Sequence, residues 1–335
     1  MRNKITRRAF CSMLLALPFS ARAQQAAKIP RIGLIWAVER GPNIEAFGRG
    51  LREFGYVEGK NILIENRYVD GKLDRVPSLV AELLRLKVDV LVTGLLPAIR
   101  AAKQATKTVP IVMMSGEDPV ATGLVDSLAR PGGNVTGLTR LTRELSGKRL
   151  ELLKEAVPKL SRVGILFQAG STSAAIGLKE YEAQGRALKI PIQSLAVQGP
   201  PNTGIESAFQ AAAKARVNAI ITVRTGAFIS YRKEIADLAI KYRLPSMHEG
   251  SDFVEAGGLV SYSSADADQF KRAAYFVDRI LKGTKPAELP VEQPMKFELV
   301  INLKTANQIG LTIPQWTLMK ADRVIKEASA KAGGR

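Results

Sequence analysis

Side chains with reactive chemistry are scarce in this sequence. The only histidine is His248, and the only cysteine, Cys11, lies in an N-terminal segment with the features of a removable signal. Without that segment the chain has no thiol nucleophile and no disulfide, and a single imidazole excludes most multi-histidine metal sites. The sequence therefore predicts neither a cysteine-dependent enzyme nor a metal centre.

Two pairs of carboxylates are close enough in sequence to be considered as a catalytic acid and base. They are Glu117 with Asp118, and Glu249 with Asp252. Neighbouring residues on one loop seldom point at a common atom, which makes this arrangement poor for paired acid–base work. A carboxylate-dependent enzyme stays as an alternative, but the sequence indicates no catalytic residue.

The glycine-rich stretches are poorly suited to hold a nucleotide. Residues 130–137 (RPGGNVTG) precede a predicted strand instead of linking a strand to a helix. Residues 55–60 end in Gly-Lys, but the spacing is wrong for a phosphate loop and Asn61 follows. Both stretches are interpreted as turns, so no cofactor is predicted.

The remaining candidates are ligand contacts that follow predicted strands. Parallel α/β sheets bind ligands at the carboxyl ends of their strands, where loops and helix starts gather. The candidate ligand-binding residues in these positions are Trp36, Leu95, Leu96, Pro97, Ser115, Gln168, Ser171, Arg224, Thr225, His248 and Glu249.

Several of these candidates have two interpretations. Arg224 could pair bidentately with a ligand carboxylate or form a salt bridge within the protein. The helix start that contains Pro97 could hold an anion with its backbone amides. Trp36 offers a flat ring to a planar solute or belongs to the core, and His248 is a ligand contact or a structural imidazole. The sequence leaves these alternatives open.

The elements that would position these residues alternate along the chain. Apolar, β-branched runs at 32–36, 89–92 and 110–113 are separated by helical periods, such as the apolar face within 76–84. A second series of apolar runs follows at 162–167, 190–195, 218–223 and 244–247. The pattern predicts two parallel sheets flanked by helices, and hence two α/β lobes.

The order of the later elements predicts that the chain crosses between the lobes more than once. A helix beginning at Ser146 places a first crossing near 138–143. A strand at 259–262, a helix with one apolar face over 270–281 and a strand at 297–301 predict two further crossings. The cleft between the lobes is the expected ligand site, and closure about this hinge would bury a small molecule from both sides.

Residues 1–23 have the pattern of a signal peptide. A basic start precedes an apolar run at 13–19 and the sequence Ala-Arg-Ala at 21–23. Arg7 and Arg8 indicate a twin-arginine signal, with a general secretory signal as the alternative. No run reaches the roughly 20 apolar residues that span a bilayer, so we expect export without direct membrane insertion. The tail at 329–335 is expected to be disordered.

The chain is strongly basic. Its formal net charge is +18, and the five basic residues of the predicted signal leave +13 without that segment. The lysines and arginines are scattered through predicted helices instead of forming one patch. This distribution favours a solvated basic surface over a nucleic-acid partner.

Five segments carry a more specific signal. They read LREFGYVEGKN (51–61), EDPVATGL (117–124), LARPGGNVTGL (128–138), LSGKRLELLK (145–154) and FELVINLKTA (297–306). In this order, and over roughly 28–326, the chain closely resembles the solute-binding components of bacterial ABC importers of the tryptophan/tyrosine type.

The resemblance implies a type I periplasmic-binding-protein fold: two Rossmann-like α/β lobes with parallel sheets joined by a three-crossing hinge. The first lobe would comprise 28–139 plus 264–285, and the second 140–263 plus 286–320. Similar proteins often carry a hydroxyl residue where Leu96 stands, so an apolar contact is expected there.

The resemblance also implies a role. The chain would be a periplasmic monomer that captures a small organic solute, an aromatic amino acid or a related carboxylate, without chemistry. It would deliver the solute to the membrane permease and ATPase subunits of an importer. A sensor that presents its closed form to a signalling receptor is the alternative.

Overall fold

The computed structural model describes residues 28–39, 42–116, 118–140, 144–199 and 201–326. The predicted signal at 1–23, the tail at 329–335 and Glu117 lie outside the described residues. Within the described part of the chain, no helix is both long and apolar enough to cross a membrane.

The strands and helices alternate along most of the described chain. The strands are β1 Arg31–Trp36, β2 Leu63–Tyr68, β3 Val90–Thr93, β4 Ile111–Ser115, β5 Val135–Thr139, β6 Val163–Gln168, β7 Ile192–Val197, β8 Ala219–Thr222, β9 Ser246–His248, β10 Val260–Ser264, β11 Phe297–Asn302 and β12 Arg323–Ile325. The helices are α1 Pro42–Glu53, α2 Val76–Arg85, α3 Leu96–Ala105, α4 Ser146–Ala156, α5 Thr172–Ala187, α6 Pro201–Lys214, α7 Gly226–Ser230, α8 Arg232–Lys241, α9 Ser251–Glu255, α10 Asp266–Leu281, α11 Leu303–Gln308 and α12 Gln315–Met319.

These strands form two sheets. The first has the order β2-β1-β3-β4-β5 and is parallel throughout. The second has the order β12-β11-β10-β9-β8-β6-β7, and only its β10–β11 pair is antiparallel. Buried apolar clusters pack on both sheets. The two-lobed α/β class predicted from the alternation is confirmed.

The central strands of the first sheet are formed by continuous apolar sequence. Every residue of β3 (VLVT) and β4 (IVMMS) is buried, as expected for parallel strands covered on both faces. The sequence analysis missed β2 (LIENRY) and β12 (RVI). Both are edge strands whose residues are only half-buried, so neither has an apolar run that would mark it.

The chain passes between the lobes three times. The first passage lies between β5 and α4, and the second lies between β10 and α10. After the second passage α10 packs its apolar face, including Phe276 and Val277, into the core of the first lobe. The first lobe is thus completed by a helix that is distant in sequence.

The third passage lies later than the expected lobe boundary at 286. The backbone of Glu292 hydrogen-bonds with Gly137 and Thr139 of edge strand β5, both at 2.9 Å. The hydroxyl of Thr136 donates to the Leu289 carbonyl at 2.6 Å. The segment therefore stays on the first lobe through Glu292, because it satisfies the open edge of β5, and the boundary at 286 is corrected. At the other end, β12 continues the second lobe beyond the expected limit at 320.

The contact between α1 and α10 predicts opposite effects of two substitutions in α1. A Cβ on Gly50 would lie 2.6 Å from the Lys271 carbonyl oxygen and 2.9 Å from the Ala274 Cβ. Gly50→Ala should therefore lower the free energy of unfolding by roughly 1–3 kcal/mol. A Cβ on Gly48 would meet nothing closer than the Arg52 guanidinium at 3.6 Å. Gly48→Ala should raise the free energy of unfolding by about 0.5–1 kcal/mol, because alanine favours a helix.

Denaturant unfolding of both variants beside the wild type measures the difference. The same change in stability for Gly48→Ala and Gly50→Ala would show that the two helices are not in the close contact described.

Candidate functional site

A cavity of about 530 Å³ lies between the two lobes, at the carboxyl ends of their strands. We call it the main cavity. Its volume is in the range of small-molecule sites. The lining includes Leu73, Leu95, Leu96, Pro97, Arg100, Gly116, Arg140, Gln168, Ser171, Ser173, Arg224, Thr225, Gly226, Ile229 and Glu249. The structure thus brings eight of the eleven predicted ligand contacts to one cavity.

The two lobes touch at the rim of the main cavity. The Ser230 hydroxyl of the second lobe donates to the Ala37 carbonyl of the first lobe at 3.3 Å. Nearby, a Cβ built on Gly226 would lie 3.0 Å from the Leu95 Cδ2 and 3.5 Å from the Leu73 Cδ2. The lack of a side chain at Gly226 therefore permits the lobes to approach closely around the cavity.

Helices α3, α5 and α7 all begin at the main cavity. The hydroxyls of Ser171 and Thr225 each accept a hydrogen bond from the backbone N–H three residues further on, both at 3.3 Å. These two predicted ligand contacts therefore cap the starts of α5 and α7. Helix starts carry unpaired backbone N–H groups and a partial positive charge, which favour an anionic group in the cavity.

Arg224 is engaged by the protein itself. Its Nη1 donates to Oδ1 of Asp252 at 2.6 Å and its Nη2 donates to Oδ2 at 3.0 Å. Asp252 reaches this position from the first turn of α9, and both side chains are largely buried. Of the two interpretations that the sequence left open for Arg224, the structure shows the salt bridge within the protein, because Asp252 occupies the guanidinium fork. Other parts of Arg224 still line the main cavity.

Glu249 lines the main cavity but is the centre of a buried network. Its Oε1 accepts from the Tyr181 hydroxyl at 2.7 Å and from Nη1 of Arg149 at 3.4 Å, and its Oε2 accepts from the backbone N–H of Arg224 at 2.8 Å. Nε of Arg149 donates to the Tyr262 carbonyl at 2.7 Å. Burial raises the pKa of Tyr181 well above its usual value, so the phenol stays a donor. We call these contacts the Glu249 network.

His248 lies away from the cavity. Its ring is fully buried and stacked on Phe253, with ring centroids 5.0 Å apart, and its Nε2 lies 3.0 Å from the Ser246 hydroxyl. Burial lowers the pKa of His248 to about 3. The predicted ligand contact is corrected to a structural imidazole, because all three residues of the short strand β9 are buried in the second lobe.

Trp36 and Ser115 also lie outside the main cavity. Ser115 is buried at the end of β4, and it is the next residue, Gly116, that reaches the cavity. Trp36 is 4% exposed, and its Nε1 donates to Oδ1 of Asn66 at 3.1 Å. It belongs to the core and borders a second, smaller cavity beside the main one.

The carboxylates considered for catalysis are used in other ways. Glu249 and Asp252 are both engaged by arginines, as described above. Oδ1 of Asp118 accepts from the backbone N–H groups of Val120 and Ala121 at 2.8 and 3.2 Å and so closes a turn after β4. Glu117 is outside the described residues. In the part of the chain that the structure describes, no cluster of three or more His, Cys, Asp and Glu residues could hold a metal ion.

Two basic residues of the lining were missed from the sequence. Arg140 directly follows β5, so the strand-end rule that selected the other candidates would have found it. Arg100 lies four residues after Leu96 on α3, and that spacing places both on one face of the helix. Both residues reinforce the positive character of the main cavity.

Comparison with known proteins gives consistent results. Residues 41–325 match a family model described as ABC transporter substrate binding protein. A tyrosine-binding protein of Clostridioides difficile (strain R20291) is 24% identical over 311 residues, which cover 90% of this chain and 88% of that protein.

Two solved structures are similar over nearly the same length. An ABC domain in complex with L-Trp from Streptococcus pneumonia is 26% identical with a TM-score of 0.79, over 88% of this chain and 99% of that one. A conserved domain protein from Vibrio cholerae O1 biovar El Tor is 27% identical with a TM-score of 0.80, over 89% of this chain and all of that one.

The Glu249 network predicts a large difference between two neighbouring substitutions in α4. Arg149→Met leaves the buried Glu249 without its charge partner, so the free energy of unfolding should fall by about 3–5 kcal/mol. Lys148→Met removes a half-exposed pair with Glu151, 3.3 Å long, and should change stability by no more than about 0.5 kcal/mol. Urea titrations of both variants test this. An Arg149→Met loss no larger than that of Lys148→Met would contradict the network.

The burial of His248 predicts a pH dependence of stability. Its pKa is lowered from 6.5 to about 3 in the folded chain, so between these values only the unfolded chain takes up the proton. Stability should therefore fall as the pH drops from about 6.5 towards 3, by up to about 1.4 kcal/mol per pH unit from this group. His248→Gln should be less stable at neutral pH and lose less on acidification. Parallel pH curves for the two proteins would refute this account.

Proposed function

Since the chain belongs to the family of ABC transporter substrate-binding proteins, we propose that its main cavity captures an aromatic amino acid or a related aromatic carboxylate for import. The family match agrees with the resemblance carried by the five sequence segments. The proposal is carried by one observation: a cavity of about 530 Å³ between two lobes that are joined by three crossings.

The chemistry of the main cavity supports an anionic solute. Arg100 and Arg140 line it together with the starts of α3 and α5, while the charge of the third lining arginine, Arg224, is balanced by Asp252. Among its described lining residues, Glu249 is the only carboxylate, and both of its oxygens accept hydrogen bonds from the protein. A carboxylate would therefore meet mainly positive potential. Apolar side chains such as Leu96 supply surface for the rest of the solute.

The relatives support an aromatic side chain on that solute. One is a tyrosine-binding protein and another was solved in complex with L-Trp. The main cavity combines aliphatic walls with a positive region, a combination that suits a ring joined to a carboxylate. Leu96, which lines the main cavity at the start of α3, would provide an apolar contact for that ring.

Hinge closure is the proposed mode of capture. A solute held at the strand ends contacts both lobes at once, so its binding energy favours the closed arrangement. The contacts of Gly226 with Leu95, and of Ser230 with Ala37, are of the kind that closure would make. Binding without chemical change is proposed, since Glu249 and Asp252 are engaged by arginines and His248 lies away from the cavity.

The cellular setting follows from the family. ABC substrate-binding proteins act outside the cytoplasm, bind small-molecule solutes and work with the other components of the transporter. We propose that residues 1–23 direct export of the chain to the periplasm and are then removed. There the chain would act as a monomer whose partners are a membrane permease and an ATPase.

A ligand screen tests the function. Protein refolded from denaturant to remove any carried solute should gain thermal stability with L-tyrosine, L-tryptophan or 3-phenylpropionate. At a hundred times the dissociation constant the gain should be about 2.7 kcal/mol. Gly226→Val should weaken this binding, because its side chain would meet Leu95 as the lobes approach. Gly133→Val is a control, since its Cβ would have open space around it.

The result that would overturn the proposal is equally direct. A refolded wild-type protein that shows no stabilisation with any aromatic carboxylate would overturn the proposed solute, and conversion of one of the compounds to a product as well would replace the receptor with an enzyme.

A further inference from the structure

A second cavity of about 260 Å³ meets the main cavity on the side of α1. We call it the side cavity. The two spaces have five lining residues in common: Gly94, Leu95, Arg140, Arg224 and Ile229. A solute in the main cavity therefore has the side cavity directly beside it.

The side cavity is bordered by aromatic rings. The rings of Trp36 and Phe270 both line it, with centroids 5.5 Å apart and planes inclined by 31°. The hydrogen bond from Trp36 to Asn66 fixes the indole. The guanidinium of Arg140 lies 5.9 Å from the centre of the Phe270 ring. A fixed aromatic wall beside a cation is a favourable place for another ring.

The volume of the side cavity suits a ring but not an entire solute with its charged group. An engineered protein cavity of about 150 Å³ holds benzene, so 260 Å³ provides space for one ring or two fused rings. Helices α3 and α5 begin at the main cavity and α1 begins at the side cavity. The side cavity, however, is also lined by the carboxylates of Asp252 and Glu255 and by two aromatic rings, whereas the described lining of the main cavity has one carboxylate and no aromatic ring. The two spaces therefore differ in what they favour: a ring in one and a carboxylate in the other.

We propose that the side cavity is the ring subsite of this receptor, and that the carboxylate of the same solute remains in the main cavity. This inference rests on the proposed function, because it divides one solute between the two spaces. Ile44 on α1 and Phe270 on α10 then determine which ring sizes enter. Both helices belong to the first lobe, which also contributes both aromatic rings of the side cavity.

Two matched substitutions test the division. Of the two cavities, Ile44 lines the side cavity alone and Leu96 lines the main cavity alone. Both are half-buried aliphatic residues. Calorimetric titrations would compare the ring-bearing probes L-tyrosine and 3-phenylpropionate with the ring-free probes L-leucine and hexanoate. Ile44→Trp should weaken the ring-bearing probes by about tenfold or more and weaken the ring-free probes less, because a flexible alkyl chain can remain in the main cavity. Leu96→Trp should weaken both kinds.

Tryptophan fluorescence gives an independent measurement. The sequence contains two tryptophans, Trp36 and Trp316, and Trp316 is 48% exposed on α12 of the second lobe. In the Trp316→Phe variant Trp36 is the only tryptophan, and excitation at the long-wavelength edge of its absorption separates its emission from that of the tyrosines. Saturation with 3-phenylpropionate should alter that emission more than saturation with hexanoate does. Equal changes with both probes would argue against a ring beside Trp36.

The outcomes separate this inference from the proposed function. Failure of the wild type to bind any aromatic carboxylate would remove both. Wild-type binding that Ile44→Trp retains at full affinity would remove the ring subsite and leave the receptor role intact. If Ile44→Trp does not fold, Ile44→Ala replaces it: a larger side cavity should shift the preference from L-tyrosine towards L-tryptophan, and an unshifted preference overturns the inference.

Discussion

The buried contact between Arg149 and Glu249 connects the hinge with the floor of the cavity. Arg149 lies on α4, just after the first crossing, and its Nε donates to Tyr262 on β10, shortly before the second. Glu249 in turn accepts the backbone N–H of Arg224 at the cavity wall. In a low-dielectric interior, the desolvation cost of each buried charge is offset only by its partner. The position of the cavity wall is therefore tied to the packing of two interlobe crossings.

Internal hydrogen bonds also engage several side chains that were predicted as ligand contacts. The positions of Ser171, Thr225, Arg224 and Glu249 after strands placed them at the main cavity, but the sequence could not give the partners of their polar atoms. Those partners are the helix N–H groups, Asp252 and the buried Arg149. An internal partner of this kind comes from a different loop or helix, so only the folded chain reveals which polar atoms are already satisfied.

More of the fold than of the site could be predicted from the sequence. The central strands are continuous apolar runs, and that pattern survives without knowledge of neighbours. β2 and β12 were missed because edge strands need little apolar sequence. The third crossing was placed too early because the segment at 286–292 belongs to the first lobe through backbone hydrogen bonds to β5. Backbone hydrogen bonds of this kind do not require particular residue types, whereas burial requires apolar residues that can be recognised in the sequence.

These features determine how such a receptor can discriminate between solutes. Much of the polar surface at the main cavity is committed to the fold, so recognition depends on backbone amides at helix starts, on nearby cations and on the shape of apolar walls. Amides and cations select for charge and accept many carboxylates. Apolar walls distinguish solutes by size, and one methylene in such a pocket changes selectivity only about 10–200-fold. Substitutions of wall residues such as Leu96 and Ile44 would therefore be expected to change the size selectivity of this chain without disturbing the Glu249 network or the hinge.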